Sequence, residues 1–420
     1  MMEIIKKSIP AYGFAGLGMA LSLWLLFSSE PWGALSIPLI LIFGLILFQY
    51  PQFGFYLLIL LIPFEAWESI SSATKSLTLS KIIGLCVFAV IIFQCALNPR
   101  LLDRAKSGIW LACGFFIGIN LLASLFSNYP AISLDHIRRI LTVFFFTFMT
   151  VYFLNRKQDF HHIAALLIGS LSVAAFCGVA AKMLHIESFF VTSASTDIGE
   201  RLIGTATSPN YFGLMILIPL PVIAHFLFHT KRRLVRVLMT CLFVQNTYVV
   251  MLTYSRALYL TFFLILLTLF IENYKRFRFR HIGFAMILIC LFSVFAAVKI
   301  PQTTAWQRFE TLGAPESDFS IMRRASYITV AWDAFKKHPF LGAGPGSFPL
   351  IYGISDIGAA YGDMKSNFAR AAHNAYLEVL VGTGLLGLIS YLYIFSAAIY
   401  TLLSVQHRLN PSCPELSGLL

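Results

Sequence analysis

The chain has 420 residues, of which 58% are hydrophobic and only 12% charged, and its mean hydropathy is +0.78. This composition is far too apolar for a soluble domain and predicts a protein that crosses a membrane. The formal net charge of +12 at pH 7 does not indicate nucleic-acid binding, because the basic residues fall in short clusters between apolar runs and have no aromatic-lined basic groove around them.

The apolar runs are long, unbroken and without alternation. In hydrocarbon each segment must satisfy its own backbone hydrogen bonds, which favours an α-helical bundle over a β-barrel. Taking about 20 apolar residues as one crossing, the sequence predicts an all-α polytopic membrane protein with about 12 transmembrane helices. A count of about ten or eleven also fits if one of the shorter runs is re-entrant. The predicted spans lie near residues 11–29, 33–49, 52–67, 78–97, 109–126, 140–154, 162–183, 209–228, 237–253, 257–272, 282–300 and 375–404.

The distribution of Lys and Arg between alternate loops predicts the orientation. The side that carries most of the basic residues is expected to face the cytoplasm. Residues 1–300 then hold the transmembrane helices up to the last, 301–374 form a large periplasmic loop, 375–404 form the last transmembrane helix and 405–420 form a cytoplasmic tail.

The large loop is predicted to contain an amphipathic helix and then a turn. Five apolar residues recur at helical spacing: Ile321, Ala325, Ile328, Trp332 and Phe335. Asp318 or Ser320 can cap the start of this helix, and His338-Pro339 ends it. We expect the helix to lie on the outer membrane surface or to pack over the bundle. The stretch Gly342–Ser347 is interpreted as a hinge or tight turn instead of a phosphate loop, since no strand precedes it and no helix is predicted to open from it.

Two arginines in the non-cytoplasmic segments lie directly against the ends of predicted spans. Arg201 lies in a polar segment ahead of the eighth span, where Ser208 suits an N-cap and Pro209 a first helical turn. Alternatively, Arg201 has no role in ligand binding and is a snorkelling arginine that pairs with Glu200. Arg256 lies in a very short turn between apolar runs, at a depth where a guanidinium needs a partner or an anionic ligand.

Two further cationic positions have simpler interpretations. Asp135 and Arg139 are four residues apart ahead of the sixth span, which favours a local ion pair. Lys81 begins the fourth span among apolar neighbours, where a lysine usually snorkels outward.

His373 directly precedes the last span. The positive end of a helix dipole disfavours a protonated imidazole, so we expect His373 to be neutral at neutral pH and able to accept a proton. Two arginines and a neutral histidine on one membrane face suit the transfer of a group from an anionic leaving group. Arginine forks bind a diphosphate and stabilise its growing charge, and the histidine deprotonates an attacking hydroxyl.

Metal and cofactor chemistry are not indicated. The seven cysteines show no paired spacing, so neither a disulfide framework nor a zinc site is predicted. No carboxylate cluster or DxD-like pair appears on the face that carries the arginines, which makes a metal-dependent mechanism less favoured, and no cofactor is expected.

These residues resemble the O-antigen ligase and polymerase superfamily of bacterial envelope glycosyltransferases. The resemblance covers most of the chain from about residue 190 onward and rests on four short motifs in this order. They are Arg201…Gly204…Pro209-Asn210, Ser255-Arg256, His338-Pro339-Phe340-Leu341-Gly342-Ala343-Gly344 with Gly346 and Phe348, and His373-Asn374…Leu377…Gly384…Gly387.

The resemblance implies a metal-independent, inverting glycosyltransferase of the bacterial inner membrane that acts in lipopolysaccharide or other polysaccharide biosynthesis. It would move a glycan from undecaprenyl diphosphate to an acceptor hydroxyl, in ligases that of the lipid A core. By the resemblance His373 is the base, Arg201 and Arg256 bind the diphosphate, and Arg139 and Lys81 are weaker candidates for the same anionic group. Asn210 and Asn374, which belong to the same motifs, are further candidates for substrate binding.

One position departs from the family pattern. Gly382 stands two residues before Gly384, where relatives often have an acidic residue, so Glu378 is a candidate to orient His373 in its place.

Three alternatives remain open from the sequence. A repeat-unit polymerase of the same superfamily uses the same donor but a second lipid-linked glycan as acceptor. Protein O-glycosylation is a third acceptor possibility within the class. A multi-span transporter is an alternative from another class, although its polar sites would be expected near the bilayer midplane. Beyond the donor and acceptor, the expected partners are membrane lipids and not nucleic acid.

Overall fold

The structure is a computed structural model that describes residues 42–67, 78–191, 201–273, 319–361 and 370–409. The predicted spans at 11–29 and 282–300, the beginning of the span at 33–49, residues 301–318 of the large loop and residues 410–420 of the tail lie outside the described residues. Residue contacts divide the chain into two compact units. The first comprises Met1–Lys106 and Phe148–Ser170, and the second Ser107–Thr147 and Leu171–Leu420.

Almost all of the described chain is helical. In chain order, the first half contains α1 (Ile42–Gln49), α2 (Pro51–Leu61), a 3₁₀ helix (Ile62–Trp67), α3 (Leu79–Leu97), a 3₁₀ helix (Pro99–Ala105), α4 (Ile109–Leu125), α5 (Pro130–Phe153), α6 (Lys157–Met183) and a 3₁₀ helix (Glu187–Phe189). The second half contains β1 (Phe190–Val191), β2 (Arg201–Leu202), α7 (Pro209–Leu217), α8 (Pro219–His229), α9 (Arg233–Leu252), α10 (Arg256–Asn273), α11 (Phe319–Lys337), α12 (Phe348–Gly353), α13 (Asp356–Tyr361) and α14 (Ala375–Leu409).

Five helices among the described residues are long and apolar enough to cross a membrane. They are Leu79–Leu97, Gln158–Met183, Pro209–His229, Arg233–Leu252 and Ala375–Ser404. Two bent helix pairs, α1 with the helix after it and Pro99–Ala105 with α4, raise the number to seven if each pair is one span. The all-α membrane fold is therefore supported, whereas the predicted number of twelve spans is not confirmed.

The second unit contains a break in its last helix. Gly384 has φ 64° and ψ −162°, which interrupts α14. The segment before α12 supplies the missing backbone hydrogen bonds: the N–H groups of Ala343 and Gly344 donate to Val381 and Gly382, at 2.8 and 3.0 Å, and the N–H of Leu385 donates to Pro339 at 2.9 Å. A neighbouring stretch of chain thus provides hydrogen-bond partners for backbone groups at the break, which favours such an interruption in an apolar helix.

Glycine is required on both sides of this contact. Gly342 has φ +68°, and a Cβ there would fall 2.5 Å from the backbone of Gly382 and Thr383. A Cβ on Gly384 would collide with the backbone of Phe340. Gly342 and Gly384, one from each of the two sequence motifs, are therefore explained by this close backbone approach.

The helix predicted in the large loop is confirmed as α11, but its buried face differs from the prediction. Tyr327, Val330, Ala331 and Ala334 are buried in a cluster with α12 and the beginning of α14. Ile328 and Trp332, which belong to the predicted stripe, are instead 57% and 55% exposed. The helix carries two apolar stripes, and the one with small alanines allows the closer packing.

The turn predicted at Gly342–Ser347 is present, with positive φ at Gly342, Gly344 and Gly346. The expectation that no helix opens from it is wrong, because the short helix α12 begins at Phe348. This helix places the Phe348 and Tyr352 rings in the same buried cluster as Tyr327. The turn therefore connects the core around α11 to the break in α14.

Candidate functional site

Arg201 is positioned by a two-residue β-ribbon between α6 and α7. β2 pairs antiparallel with β1, with Val191 opposite Arg201 and Phe190 opposite Leu202. Leu202 is fully buried, next to Gly178 of α6 and the Phe212 ring of α7. Burial of Leu202 fixes the register of the ribbon, because a slip of one residue would exchange its two faces.

The Arg201 side chain is half-buried and reaches two other elements. Its Nε donates to the carbonyl of Thr253 at 3.0 Å, and one terminal nitrogen donates to Oδ1 of Asn210 at 3.4 Å. Asn210 lies in the first turn of α7, whose start is as predicted, with Pro209 in the first turn and the Ser208 hydroxyl accepting a hydrogen bond from the Asn210 N–H. The structure thus brings together Arg201 and Asn210, two of the residues singled out from the sequence.

The turn between α9 and α10 approaches α7 closely. A Cβ on Gly213 would collide with Leu258 and would fall 3.1 Å from the Thr253 side chain. Thr253 is fully buried, and its hydroxyl donates to the carbonyl of Val250 at 2.7 Å. These contacts fix the carbonyl that receives the Arg201 hydrogen bond.

Arg256 is the first residue of α10. The residue two positions before it, Tyr254, has φ +48° in a non-glycine left-handed conformation, which costs roughly 1–2 kcal/mol. Because Arg201 donates to the Thr253 carbonyl, its guanidinium contacts the turn that precedes Arg256.

His373 lies two residues before α14 and also has a left-handed backbone, with φ +51°. Its side chain is exposed, whereas the preceding residue, Ala372, is buried in the cluster formed by α11 and α12. The imidazole of His373 is therefore exposed, while burial of the neighbouring Ala372 fixes the backbone beside it.

The side chains of Asn374, directly before α14, and of Glu378 in its first turn fix the backbone around His373. Asn374 caps the helix, since its Oδ1 accepts hydrogen bonds from the N–H groups of Tyr376 and Leu377, at 3.0 and 3.4 Å. One carboxylate oxygen of Glu378 accepts from the Ala372 N–H at 2.9 Å. Within the described part of the chain, these contacts involve the backbone next to His373 and not its imidazole. Glu378 therefore helps to fix the position of the His373 backbone.

Gly382, the departure from the family pattern, faces the turn before α12. A Cβ at this position would fall 3.1 Å from Pro345 and 3.2 Å from the carbonyl oxygen of Gly344. A larger side chain would push the turn away from α14. The glycine is therefore explained by packing in this chain.

Arg139 takes part in the predicted local ion pair. Asp135 receives hydrogen bonds from Arg139 at 2.7 Å and from Arg138 at 2.6 Å. The hydrogen bond from Arg139 lowers the pKa of the Asp135 carboxyl. Arg139 is 72% exposed, so its charge remains accessible from solvent although it is paired.

Lys81 lies in the first unit and forms an ion pair with Glu65 at 2.8 Å. Both side chains are partly exposed, at 38% and 48%. Lys81 therefore has a carboxylate partner in its own unit, and its assignment to an anion site remains a prediction.

The contacts among the described residues thus define two groups. One comprises Arg201, Asn210 and the turn that leads to Arg256, and the other comprises His373, Asn374 and Glu378. The described contacts include none that joins the two groups. The only non-glycine residues with positive φ in the described segments are His185, Tyr254 and His373, and backbone strain of this kind concentrates at functional sites.

Sequence reasoning missed one feature of the second unit. A cavity of about 380 Å³ is lined by Lys182, His185, Glu187 and Phe190. These residues run from Lys182, in the last turn of α6, to Phe190, the first residue of β1. The polar side chains between Lys182 and Glu187 are the sequence signal, but their arrangement around a cavity depends on how the chain leaves α6.

The apolar helices indicate a polytopic membrane protein. Residues 241–392 match the family described as O-Antigen ligase. This match supports the O-antigen ligase superfamily, and the resemblance drawn from the motifs is confirmed. The match implies a glycosyltransferase-like enzyme with lipid-linked glycan substrates. No curated protein matches the chain.

Proposed function

We propose that this protein transfers a glycan from undecaprenyl diphosphate to an acceptor hydroxyl, in the manner of an O-antigen ligase. In this proposal Arg201 and Arg256 bind the diphosphate and His373 is the base. The reaction takes place at the periplasmic face of the bacterial inner membrane, with the 301–374 segment on that side.

The observation that carries the proposal is the hydrogen bond from Arg201 to Thr253. The family match contains Arg256 and His373 but begins at residue 241, so Arg201 lies outside it. Contact between Arg201 and the turn before Arg256 supports a shared role for the two arginines. A pair of guanidinium groups suits a diphosphate, because each presents a planar fork of donors to phosphate oxygens.

The chemical step follows from these roles. The acceptor oxygen attacks the anomeric carbon of the glycan while His373 takes its proton. The bond between the anomeric carbon and the phosphate oxygen breaks, and its electron pair leaves with the undecaprenyl diphosphate, whose added charge the arginines stabilise. A single displacement of this kind inverts the anomeric configuration. The step needs no metal ion, so chelation with EDTA is expected to leave the rate unchanged.

Asn210 and Asn374 have supporting roles in this scheme. Asn210 accepts a hydrogen bond from Arg201 and so helps to aim the guanidinium. Asn374 caps α14 and so helps to fix the backbone that carries His373. Both asparagines position a neighbouring group. Replacing either of them is therefore expected to lower the transfer rate less than replacing the residue that it positions.

The test is glycan attachment in a deletion strain complemented with His373→Ala, Arg201→Ala or Arg256→Ala. Loss of a general base typically costs about 10²–10⁴-fold in rate, and loss of one charge-stabilising donor about 10²–10³-fold, so each variant should abolish detectable attachment. His162→Ala and Arg233→Ala, both at exposed positions, are the matched controls. Normal attachment in all three site variants, at normal levels in the membrane, contradicts the proposal.

The same strains separate the alternatives. A ligase deletion accumulates long glycan chains on the lipid carrier, whereas a polymerase deletion leaves single repeats. Transfer by the purified protein in detergent, where no sealed compartment exists, contradicts a transporter.

A further inference from the structure

Two neighbouring amide side chains of α9 are hydrogen-bonded to one residue of α6. The Nε2 of Gln245 donates to the Ser172 carbonyl at 2.7 Å, and the Nδ2 of Asn246 donates to the Ser172 hydroxyl at 3.3 Å. Asn246 is fully buried and Ser172 is 5% exposed. Both helices are long and apolar enough to cross a membrane, so these bonds join two spans. We call these three residues the α6–α9 contact.

Stability alone does not explain the amide of Asn246. Among the described residues its Oδ1 is buried without a hydrogen-bond partner, and an unpaired buried oxygen is destabilising. Hydrogen bonds between membrane helices contribute only modestly to stability on average, and a leucine of similar volume would bury no unpaired oxygen. A hydrogen bond is directional, however, whereas apolar burial is not. The asparagine therefore indicates that the position of α9 against α6 has to be fixed.

Both helices continue from this contact to the arginine region. On α6, Gly178 lies six residues beyond the contact, and a Cβ there would fall 3.1 Å from the side chain of Leu202, the neighbour of Arg201. On α9, Thr253 lies seven residues beyond the asparagine, and its carbonyl accepts from Arg201. At a rise of about 1.5 Å per residue, these two segments span about 9 Å and about 10 Å. The contact, the two helices and the Arg201 hydrogen bond thus form a closed circuit.

A small slip of α9 along α6 would disturb the hydrogen bond of Arg201. A slip of one residue moves the Thr253 carbonyl by about 1.5 Å along the helix axis. The distance from Arg201 Nε to this carbonyl is 3.0 Å, and such bonds have a narrow range of about 2.7–3.2 Å. The slip would therefore lengthen the bond or force the two atoms together. The register of the two helices has to be fixed to better than one residue.

We propose that Gln245 and Asn246 are positioning residues, which fix the register of α9 against α6 and so place the Thr253 carbonyl where Arg201 reaches it. Their effect on Arg201 is transmitted by the two helices. The part of Arg201 in binding a diphosphate rests on the function proposed above, whereas the position of the Thr253 carbonyl does not.

The first test measures hydrogen–deuterium exchange in the full-length protein in detergent. Two N–H groups of the ribbon, those of Ile203 and Gly204, donate to the Phe189 carbonyl. In the variant Gln245→Met/Asn246→Leu their exchange should become about tenfold faster, because the ribbon loses about one hydrogen bond to α9. Exchange in α11 should stay unchanged. The unfolding temperature should not fall, since the replaced groups include the unpaired oxygen.

A double-mutant cycle tests whether the α6–α9 contact acts through Arg201. Arg201→Ala removes the hydrogen bond to α9 directly and should accelerate exchange of the same two N–H groups by a similar factor. Adding Gln245→Met/Asn246→Leu to it should have little further effect, because the bond is already absent. Additive effects overturn the proposal. Unchanged exchange in Gln245→Met/Asn246→Leu, or an acceleration that is equal throughout the molecule, also overturns it.

Ser170→Ala is the matched control. Ser170 is a serine of the same helix and is 3% exposed, but its hydroxyl donates to the Leu167 carbonyl within that helix. Its replacement should change neither the exchange of the ribbon nor the unfolding temperature. An acceleration as large as that in Gln245→Met/Asn246→Leu would show that the loss of any polar group in this part of the bundle loosens the ribbon, which contradicts the proposal.

Binding of inorganic pyrophosphate, measured by calorimetry, separates this inference from the proposed function. Arg201→Ala and Gln245→Met/Asn246→Leu should both weaken it, the latter by about tenfold. If Arg201→Ala weakens binding and Gln245→Met/Asn246→Leu does not, the positioning role is wrong and the proposed function stands. If Arg201→Ala leaves binding unchanged, the proposed function is wrong, and the exchange measurements alone decide whether the α6–α9 contact places the Thr253 carbonyl.

Discussion

The regions around Arg201 and His373 hold their central residues in opposite ways. The Arg201 side chain is itself fixed, because it is half-buried and hydrogen-bonded to Thr253 and Asn210. At His373 the backbone is fixed, by buried Ala372 and by the carboxylate of Glu378, while the side chain is exposed. A group that binds charge gains from a fixed position before the substrate arrives, whereas a base must only reach the hydroxyl that it deprotonates.

The two regions also depend on different structural supports. The arginine region relies on close packing of α7 against the turn between α9 and α10. The histidine region relies on the contact between the Pro339–Gly344 stretch and the break in α14. Variants directed at one support should therefore leave the other region intact, and this separation is open to experiment.

The largest effect is expected from Gly384→Ala. Gly384 has φ +64°, and the new Cβ would collide with the backbone of Phe340 and Leu341, which cannot rotate away as a side chain could. We expect a loss of at least about 3 kcal/mol in stability, measured as thermal unfolding in detergent, together with loss of transfer. Pyrophosphate binding at the arginine region should persist in the fraction that remains folded.

Gly118→Ala in α4 is the control for this variant, since nothing lies within 4 Å of a Cβ there. It should behave like the original protein. If Gly384→Ala unfolds at the same temperature as Gly118→Ala, the backbone contact at the break does not support the histidine region.

The second-largest effect, a lower rate of transfer, is expected from Arg201→Lys. Lysine keeps the charge but not the planar fork that reaches Thr253 and Asn210 in two directions. Transfer should fall by about tenfold to a hundredfold, which corresponds to the loss of one or two charge-assisted hydrogen bonds. The matched variant Arg233→Lys, at an exposed position, should not change the rate. Full activity of Arg201→Lys would mean that charge alone is required.

A smaller effect is expected at Glu378, as a residue that positions His373. Glu378→Ala removes the acceptor of the Ala372 N–H, whereas Glu378→Gln keeps an oxygen at the same place. The alanine variant should lower kcat by about tenfold, the value of one hydrogen bond of about 1.4 kcal/mol, with little change in KM for the donor. The glutamine variant should recover most of the rate. Equal losses in the two variants would indicate that the negative charge itself acts on the histidine.

Much of this arrangement was predictable from residue patterns alone. Ser208 and Pro209 predicted the start of α7, and the spacing of Asp135 and Arg139 predicted their ion pair, because both depend on neighbours within one helical turn. The buried face of α11 was not predictable, since it depends on which of two apolar stripes meets α14. The contact of Arg201 with Thr253 joins residues 52 apart in the chain, and short-range spacing carries no information about it.

The smallest effect is expected from a change of pH on the stability of the protein. It tests whether His136 of α5 stabilises the turn before α12, on which the histidine region depends. His136 lies against the turn before α12, where a Cβ on Gly346 would fall 3.2 Å from its Nδ1. Burial lowers the pKa of His136, and the charge of Arg139 lowers it further. As the pH falls below the ordinary value of about 6.5, the unfolded chain takes up a proton that the folded protein does not, so stability decreases until the folded pKa is reached.

Thermal unfolding between about pH 7.5 and about pH 5.5 should therefore show a small loss of stability that His136→Gln removes. Asp135 does not contribute in this range, because the hydrogen bond from Arg139 lowers its pKa from 3.8. A pH dependence that persists in His136→Gln would assign it to another histidine. A dependence that disappears would show that the turn before α12, and with it the break in α14, is held in part by a neutral imidazole on α5.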